Sequence, residues 1–201
     1  MSTQQYFDRH PQSESQPRLI HVENEGRVFA FWTDAGVFSR DGMDKGSRLL
    51  LSALPEHLTG RALDLGCGWG AMGVIIAAMY PQARVTMADI NPRAVALARR
   101  NADGNRVRAD VIVTGGFDAL SGAFDLIVLN PPIRAGKVAV YQLFQGCAQR
   151  LAQGGSLYIV IRKQQGAESA LKYLRTIFEE AAVVERKGGY WVIRCTGGKQ
   201  T

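Results

Sequence analysis

The run Phe124-Asp125-Leu126-Ile127-Val128-Leu129 is stopped by Asn130-Pro131-Pro132-Ile133, and that stop constrains the fold more than any other feature. A near-continuous apolar run of this length reads as a strand buried on both faces of a parallel sheet. Two successive prolines offer no N–H to a neighbouring strand, so the ladder has to end there. Asn130 is thereby held at the carboxyl edge of a strand, the edge at which open α/β sheets bind ligands. A carboxamide oxygen beside a prolyl carbonyl supplies two acceptors facing one pocket. That pair suits a planar amino group held still while something is transferred to its nitrogen.

Around this strand the sequence alternates. Residues 62–65, 84–88, 107–113, 124–129 and 156–161 read as strands, and 69–80, 92–101 and 138–151 as the helices between them. Pro81 stops the first of these helices, and Asn91 followed by Pro92 caps the start of the second. A helix over 167–178 leads into strands 181–186 and 190–195, joined across Lys187-Gly188-Gly189. The tight turn predicts that the last strand runs antiparallel in an otherwise parallel sheet. Upstream, 18–23 and 27–33 alternate around Asn24-Glu25-Gly26 as a hairpin, and 47–54 form a short helix ended by Pro55. The 201 residues thus divide into a polar segment 1–17, a hairpin and short helix over 18–60, and an α/β core over 61–201.

Three scattered cysteines, Cys67, Cys147 and Cys195, form no C-x-x-C and no Cys/His cluster. A structural zinc and a disulfide framework are both disfavoured, and a reducing cytoplasmic setting is expected. Residues 1–17 lack the apolar stretch of a signal peptide, and no apolar run approaches a membrane span. Charge is unevenly placed. Between Leu126 and Ala167 there is no Asp or Glu, while Arg134, Lys137, Arg150, Arg162 and Lys163 carry +5 of the net +6. An anion approaching the Asn130 edge would meet a positive field, as a nucleic acid would.

Leu63-Asp64-Leu65-Gly66-Cys67-Gly68-Trp69-Gly70 follows a strand and opens a helix. Read as G-x-G-x-x-A it fits a dinucleotide fingerprint; read as D-x-G-x-G-x-G it fits the S-adenosylmethionine loop of class I methyltransferases. Either ligand wants an acid at the end of the second strand for its ribose, and Asp89 supplies one. Asp64 favours the second reading. A carboxylate there neutralises the amino end of a methionine moiety, whereas beside a pyrophosphate it repels. Trp69 reads as packing or a loop wall.

The glycine loop, Asp89 and Asn130-Pro131-Pro132-Ile133 together resemble the amino-methylating branch of class I S-adenosylmethionine-dependent methyltransferases. Residues 33–42, 44–51, 130–137 and 162–167 resemble, more narrowly, the RsmC-like small-subunit ribosomal RNA guanine-N2 methyltransferases in a single-domain form. The resemblance implies a Rossmann-like α/β fold: a seven-stranded, mostly parallel sheet with an antiparallel last strand, helices on both faces and an N-terminal hairpin extension. It implies S-adenosylmethionine as cofactor, no metal, and ribosomal RNA or the small subunit as partner. Cofactor-binding positions would be Asp64, Gly66, Cys67, Gly68, Asp89, Ile90, Phe117, Asn130, Phe38 and Ser47. Two positions depart from the wider pattern. Thr114-Gly115-Gly116-Phe117 stands where a carboxylate often meets adenine, leaving a backbone group and Phe117 for that task. Ile133 stands where many amino methyltransferases stack an aromatic on the base.

The catalytic set is then Asn130, Pro131, Pro132 and Ile133, with Arg134, Lys137, Arg162 and Lys163 gripping RNA phosphates. Two N–H groups of guanine N2 bonded to Asn130 Oδ1 and the Pro131 carbonyl would aim the nitrogen lone pair at a methyl donor, catalysis by positioning. His10, His21 and His57 lie away from the motifs. Adenine-N6 or protein-glutamine methylation remain open on the same chemistry. So does a non-catalytic RNA-binding or ribosome-assembly module, with a dehydrogenase as the outlying reading.

Overall fold

The computed structural model describes residues 13–199; most of the polar segment, His10 included, lies outside them. Two sheets are present. The smaller pairs β1 (Arg18–Asn24) with β2 (Arg27–Thr33) antiparallel. The turn between them is Glu25-Gly26, with φ of 49° and 77°, the two positive values that a type I′ hairpin turn requires.

The larger sheet is built from β3 (Arg61–Leu65), β4 (Arg84–Asp89), β5 (Ala109–Val113), β6 (Phe124–Leu129), β7 (Leu151–Arg162), β8 (Phe178–Lys187) and β9 (Tyr190–Gly198). Its order is β5-β4-β3-β6-β7-β9-β8. The β3, β4, β5, β6 and β7 pairings are parallel, and β9 runs antiparallel to both β7 and β8. The seven strands and the reversed last strand agree with the sequence reading. The order reverses between β3 and β6, so their carboxyl ends, which carry the glycine loop and Asn130, open onto one crevice.

Helices α1 (Lys45–Ser52), α2 (Ala71–Met79) and α3 (Pro92–Gly104) cover one face with the hairpin, and α4 (Lys137–Arg150) and α5 (Ala167–Ile177) cover the other. Phe29, Phe31, Leu50 and Ile75 fill the first layer, and Phe144, Ile127, Leu174 and Phe178 the second. All are essentially inaccessible, and each such side chain contributes about 1.5–3 kcal/mol by leaving water.

Several boundaries differ from the sequence reading. The first helix starts at Lys45 because Asp44 caps it, accepting from the N–H groups of Gly46 and Ser47. Helix α2 starts at Ala71, since Gly70 has φ 87°. Helix α3 runs on to Gly104, and β7 starts at Leu151, with a register shift opposite Phe124/Leu126.

The hairpin is fixed to the core by carboxamides. Asn101 on α3 and Asn105, which caps its end, each receive an N–H and donate to a carbonyl on β2, at Trp32 and Ala30 respectively. Asn101 also donates to Trp69 O at 2.7 Å. Two side-chain amides thus satisfy an edge strand as a backbone neighbour would.

Candidate functional site

The carboxyl ends of β3, β4 and β6 open into a cavity of about 440 Å³. Its walls include Gly66, Cys67 and Gly68 from the glycine loop, Asp89 and Ile90 after β4, Phe117 after β5, and Asn130-Pro131-Pro132 after β6. Phe38, Asp44 and Ser47 close it from the segment joining the hairpin to the core. Trp69 Nε1 donates to Phe38 O at 2.9 Å, tying that segment to the glycine loop. Asp34 anchors its other end, accepting from Ser15 and Ala35. Burial alone would push the Asp34 carboxyl up. Hydrogen bonds from Ser15, Gln16 and Ala35, with the charge of Arg93, outweigh that and hold it below its usual range.

Gly66 and Gly68 have φ of 72° and 55°, and a Cβ added at either meets nothing within 4 Å. The space it would enter belongs to the cavity, so a ligand can lie directly against backbone. The loop's amides are nevertheless not free. Gly66 and Cys67 donate to Ala88 O, Gly68 to Asp89 Oδ2, and Gly70 to Cys67 O. A pyrophosphate bound at such a loop depends on unspent N–H donors. The Asp89 carboxyl beside the loop, a cavity-wall acid, adds repulsion. Together these disfavour a dinucleotide and favour a neutral or cationic ligand.

Asp89 accepts from Gly68 N–H and Asn91 N–H, one on each oxygen, and its remaining lone pairs suit hydroxyl donors. Burial raises its pKa. Asp64 is not in the cavity wall. It is wholly buried, with Oδ2 accepting from Gly73 N–H at 2.8 Å and Oδ1 without a partner. Burial, and secondarily the charge of Asp89, push it up to about 7. The Asp89 carboxylate in the cavity wall, with the unpartnered Asp64 Oδ1 behind the loop, favours positive charge at that end. Burial likewise pushes the Cys67 thiol well up, helped by Asp64 and Asp89, so it is no nucleophile at neutral pH.

At the other end the orientation of Asn130 is set by its neighbours. Its Nδ2 donates to Asp44 Oδ2 at 3.2 Å and to Ser47 Oγ at 3.1 Å. A carboxylate can only accept, so the amide nitrogen has to face Asp44, and Oδ1 is left as the free acceptor. Ser47 in turn donates to Asp44. Ser47 was expected against the cofactor; it lines the cavity but spends its hydroxyl on this network. The Pro131 carbonyl is also not idle, since Ile133 N–H donates to it at 2.8 Å. Pro132, at φ −73° and ψ 75°, makes this an inverse γ-turn, and one lone pair of the carbonyl remains.

Asp44 is a cavity-wall residue, bonded to Asn130, that is absent from the sequence expectation. Its signal was Asp44-Lys45-Gly46-Ser47 before an apolar run, a helix-cap pattern. Thr114, Gly115 and Gly116 also line the cavity. The Phe117 ring packs on α4 where Gly146 leaves room: a Cβ at Gly146 would sit 2.1 Å from Phe117 Cε2. Ile133, Arg134 and Lys137 stand outside the wall, on the turn and first residue of α4. Lys137 lies over Tyr141 and Arg162 over Tyr190. Lys163 Nζ is 3.6 Å from Glu168 Oε1, so the acid just past the acid-free stretch offsets one of its cations. Among the described residues no three His, Cys, Asp or Glu side chains gather as a metal site, and no helix is long and apolar enough to cross a membrane.

This sheet order, with a glycine loop beside β4's terminal acid and a cavity-lining asparagine after β6, defines a Rossmann-like methyltransferase domain. The chain belongs to the methyltransferase small domain family, whose model matches residues 28–194. It is 37% identical over 196 residues to the uncharacterized protein YbxB of Bacillus subtilis (strain 168), covering 96% of this chain and 98% of that one. It is 36% identical over 168 residues to ribosomal RNA small subunit methyltransferase C of Serratia proteamaculans (strain 568), covering 80% of this chain and 47% of that protein. Among solved structures, a Thermus thermophilus 16S rRNA N2 G1207 methyltransferase in complex with AdoMet and guanosine aligns with a TM-score of 0.83 at 26% identity, over 93% of this chain and 52% of that one. The chain thus spans about half the length of these two RNA methyltransferases.

Proposed function

We propose that this chain transfers a methyl group from S-adenosylmethionine to the exocyclic N2 amine of a guanine in small-subunit ribosomal RNA. The observation that carries the reading is the Asp44–Ser47–Asn130 network, which turns an acceptor oxygen toward a cavity that also fits a cationic nucleoside. Further support comes from the relatives named above. S-adenosylmethionine, when bound, supplies an activated methyl on a sulfonium, so the chain's own groups need only hold and align. Asp89 would accept from the ribose hydroxyls. Ile90 and Phe117 would flank the adenine, and Gly66–Gly68 admit the ligand against backbone. Asp64, beneath the loop, would gain from the positive amino end.

Asn130 Oδ1 and the spare lone pair of the Pro131 carbonyl would each accept an N–H of the guanine amine. That withdraws the nitrogen lone pair from the ring and directs it into the cavity, an effect of orientation. No general base is needed, because the proton can leave to water after transfer. The amine has to be unpaired or flipped to reach this edge. Arg134, Lys137, Arg162 and Lys163 would hold flanking phosphates.

The test is incubation with methyl-labelled cofactor and small subunits or their RNA, followed by nucleoside digestion. Label is expected in N2-methylguanosine. Label in N6-methyladenosine, or in protein glutamine, would contradict the reading.

A further inference from the structure

Away from the cavity, the amino-terminal pole of the sheet carries a second groove. It has a volume of about 1010 Å³ and is walled by the ends of α2 and α3, the approach to β4, and β5. Arg27, Arg84, Arg99, Arg106 and Arg108 line it against Asp103 and Asp110. All five arginines are exposed, and none pairs with a carboxylate among the described residues. Arg27 and Arg99 have structural work: Arg27 lies over Phe29, and Arg99 donates to Val111 O on the outer strand.

Two details set the remaining charge apart from an ordinary solvated face. The first is register. Arg61 pairs with Arg84, and Val85 with Ala109, which puts Arg108 level with Arg84. Like charges abreast on neighbouring strands, ~4.8 Å apart, work against the sheet. Arg61 turns away onto Phe124 and Ser121 O, whereas Arg84 and Arg108 stay in the groove. The second is backbone. Arg106, just past the Asn105 cap of α3, has φ 57°, with its N–H on Asp103 O and Val107 N–H on Ala102 O. Glycine is the usual residue at that left-handed position, and an arginine there is held against its preference.

We propose that this groove is a second docking surface for RNA, gripping the phosphate backbone of the substrate at the pole opposite the cavity. Guanidinium forks match phosphate oxygens two at a time, and all five basic residues of the groove are arginines. Strands β3 and β4 separate the poles by roughly 17–20 Å, so a folded RNA spans both and a short oligonucleotide does not. The identity of the polyanion rests on the RNA reading of the cavity.

The test uses the full chain, its Arg106→Gly variant and its Arg84→Ser/Arg106→Gly/Arg108→Ser variant. Arg106→Gly suits the local backbone better than the native residue, so it removes charge without endangering the fold. Affinity for transcribed small-subunit ribosomal RNA is read by filter binding across a salt series. The slope of log affinity against log salt is expected to fall by about 1 in the single variant and by about 2–3 in the triple. Cofactor affinity by calorimetry, and methylation of a short single-stranded oligonucleotide containing guanine, are expected to stay at the native level. An unchanged slope in the folded triple variant overturns the proposal, as does an equal loss on the short oligonucleotide. Unchanged RNA affinity with lost binding to polyglutamate would also overturn it, assigning the groove to an acidic protein. If the native chain methylates no guanine yet the slope falls, the groove stands and the guanine reading fails; guanine methylation with an unchanged slope gives the reverse.

Discussion

At the scale of single residues, the site turns on which atom of the Asn130 carboxamide faces the cavity. Asp44 decides it, because a carboxylate accepts only from the nitrogen. In Asp44→Asn the helix cap survives, but the new amide can also donate, so Asn130 is free to flip. The expected outcome is a fall in kcat of about tenfold or more at unchanged cofactor affinity and melting temperature, read by single-turnover methylation beside calorimetry. Equal activity would show that Asp44 does not set the Asn130 orientation. Asp64 makes a different prediction. Its carboxyl sits at about 7 against the usual 3.8, so between about pH 4 and 7 the folded chain keeps a proton that the unfolded chain has lost. Its stabilising effect is complete below about pH 4 and is lost as pH rises through about 7. Asp89, also raised, acts in the same direction. Thermal melts of the ligand-free chain should therefore fall across that window, less steeply in Asp64→Asn. Cofactor binding there should release protons, seen as buffer-dependent heats. Sequence alone placed Asn130 and the glycine loop at strand ends, because prolines and glycines write their geometry locally. The Asp44–Asn130 bond joins residues 86 apart and leaves no such local trace.

At the scale of elements, two packing choices support the cavity from outside it. Gly146, inside α4, is the space into which the Phe117 ring fits. Gly146→Ala gains about 1 kcal/mol of helix propensity but drives the ring out of place. The expected result is cofactor affinity reduced on the order of tenfold, about 1.4 kcal/mol, with little change in melting temperature; unaltered affinity would show that Phe117 does not hold the ligand. Asn101 binds the hairpin to the glycine loop through Trp32 and Trp69. Asn101→Leu leaves those buried groups unpaired and should cost about 3 kcal/mol in urea unfolding. Both hairpins were legible in the sequence because tight turns demand Gly at particular positions. The reach of asparagines from α3 to β2 was not, since an asparagine late in a helix reads as a weak helix former or a cap.

At the scale of the whole molecule, the order of seven strands puts the glycine loop and Asn130 at one edge of a single sheet. The alternating pattern of 61–195 made the seven strands and the reversed last strand readable, but their order across the sheet emerges only from the fold. Charge placement was less readable. The acid-free stretch singled out the cavity mouth, yet Lys163 meets Glu168, and the arginine groove is assembled from β2, α3, β4 and β5 and becomes visible only when these meet. In the proposed reaction the amide oxygen of Asn130 accepts from the guanine N2 amine. The most direct test of this contact compares native chain and Asn130→Ala, both shown to bind the cofactor, on small-subunit RNA with nucleoside mass spectrometry. N2-methylguanosine is expected from the native chain, with a loss of about a hundredfold or more in the variant. N2-methylguanosine formed at the native rate by Asn130→Ala would contradict that contact.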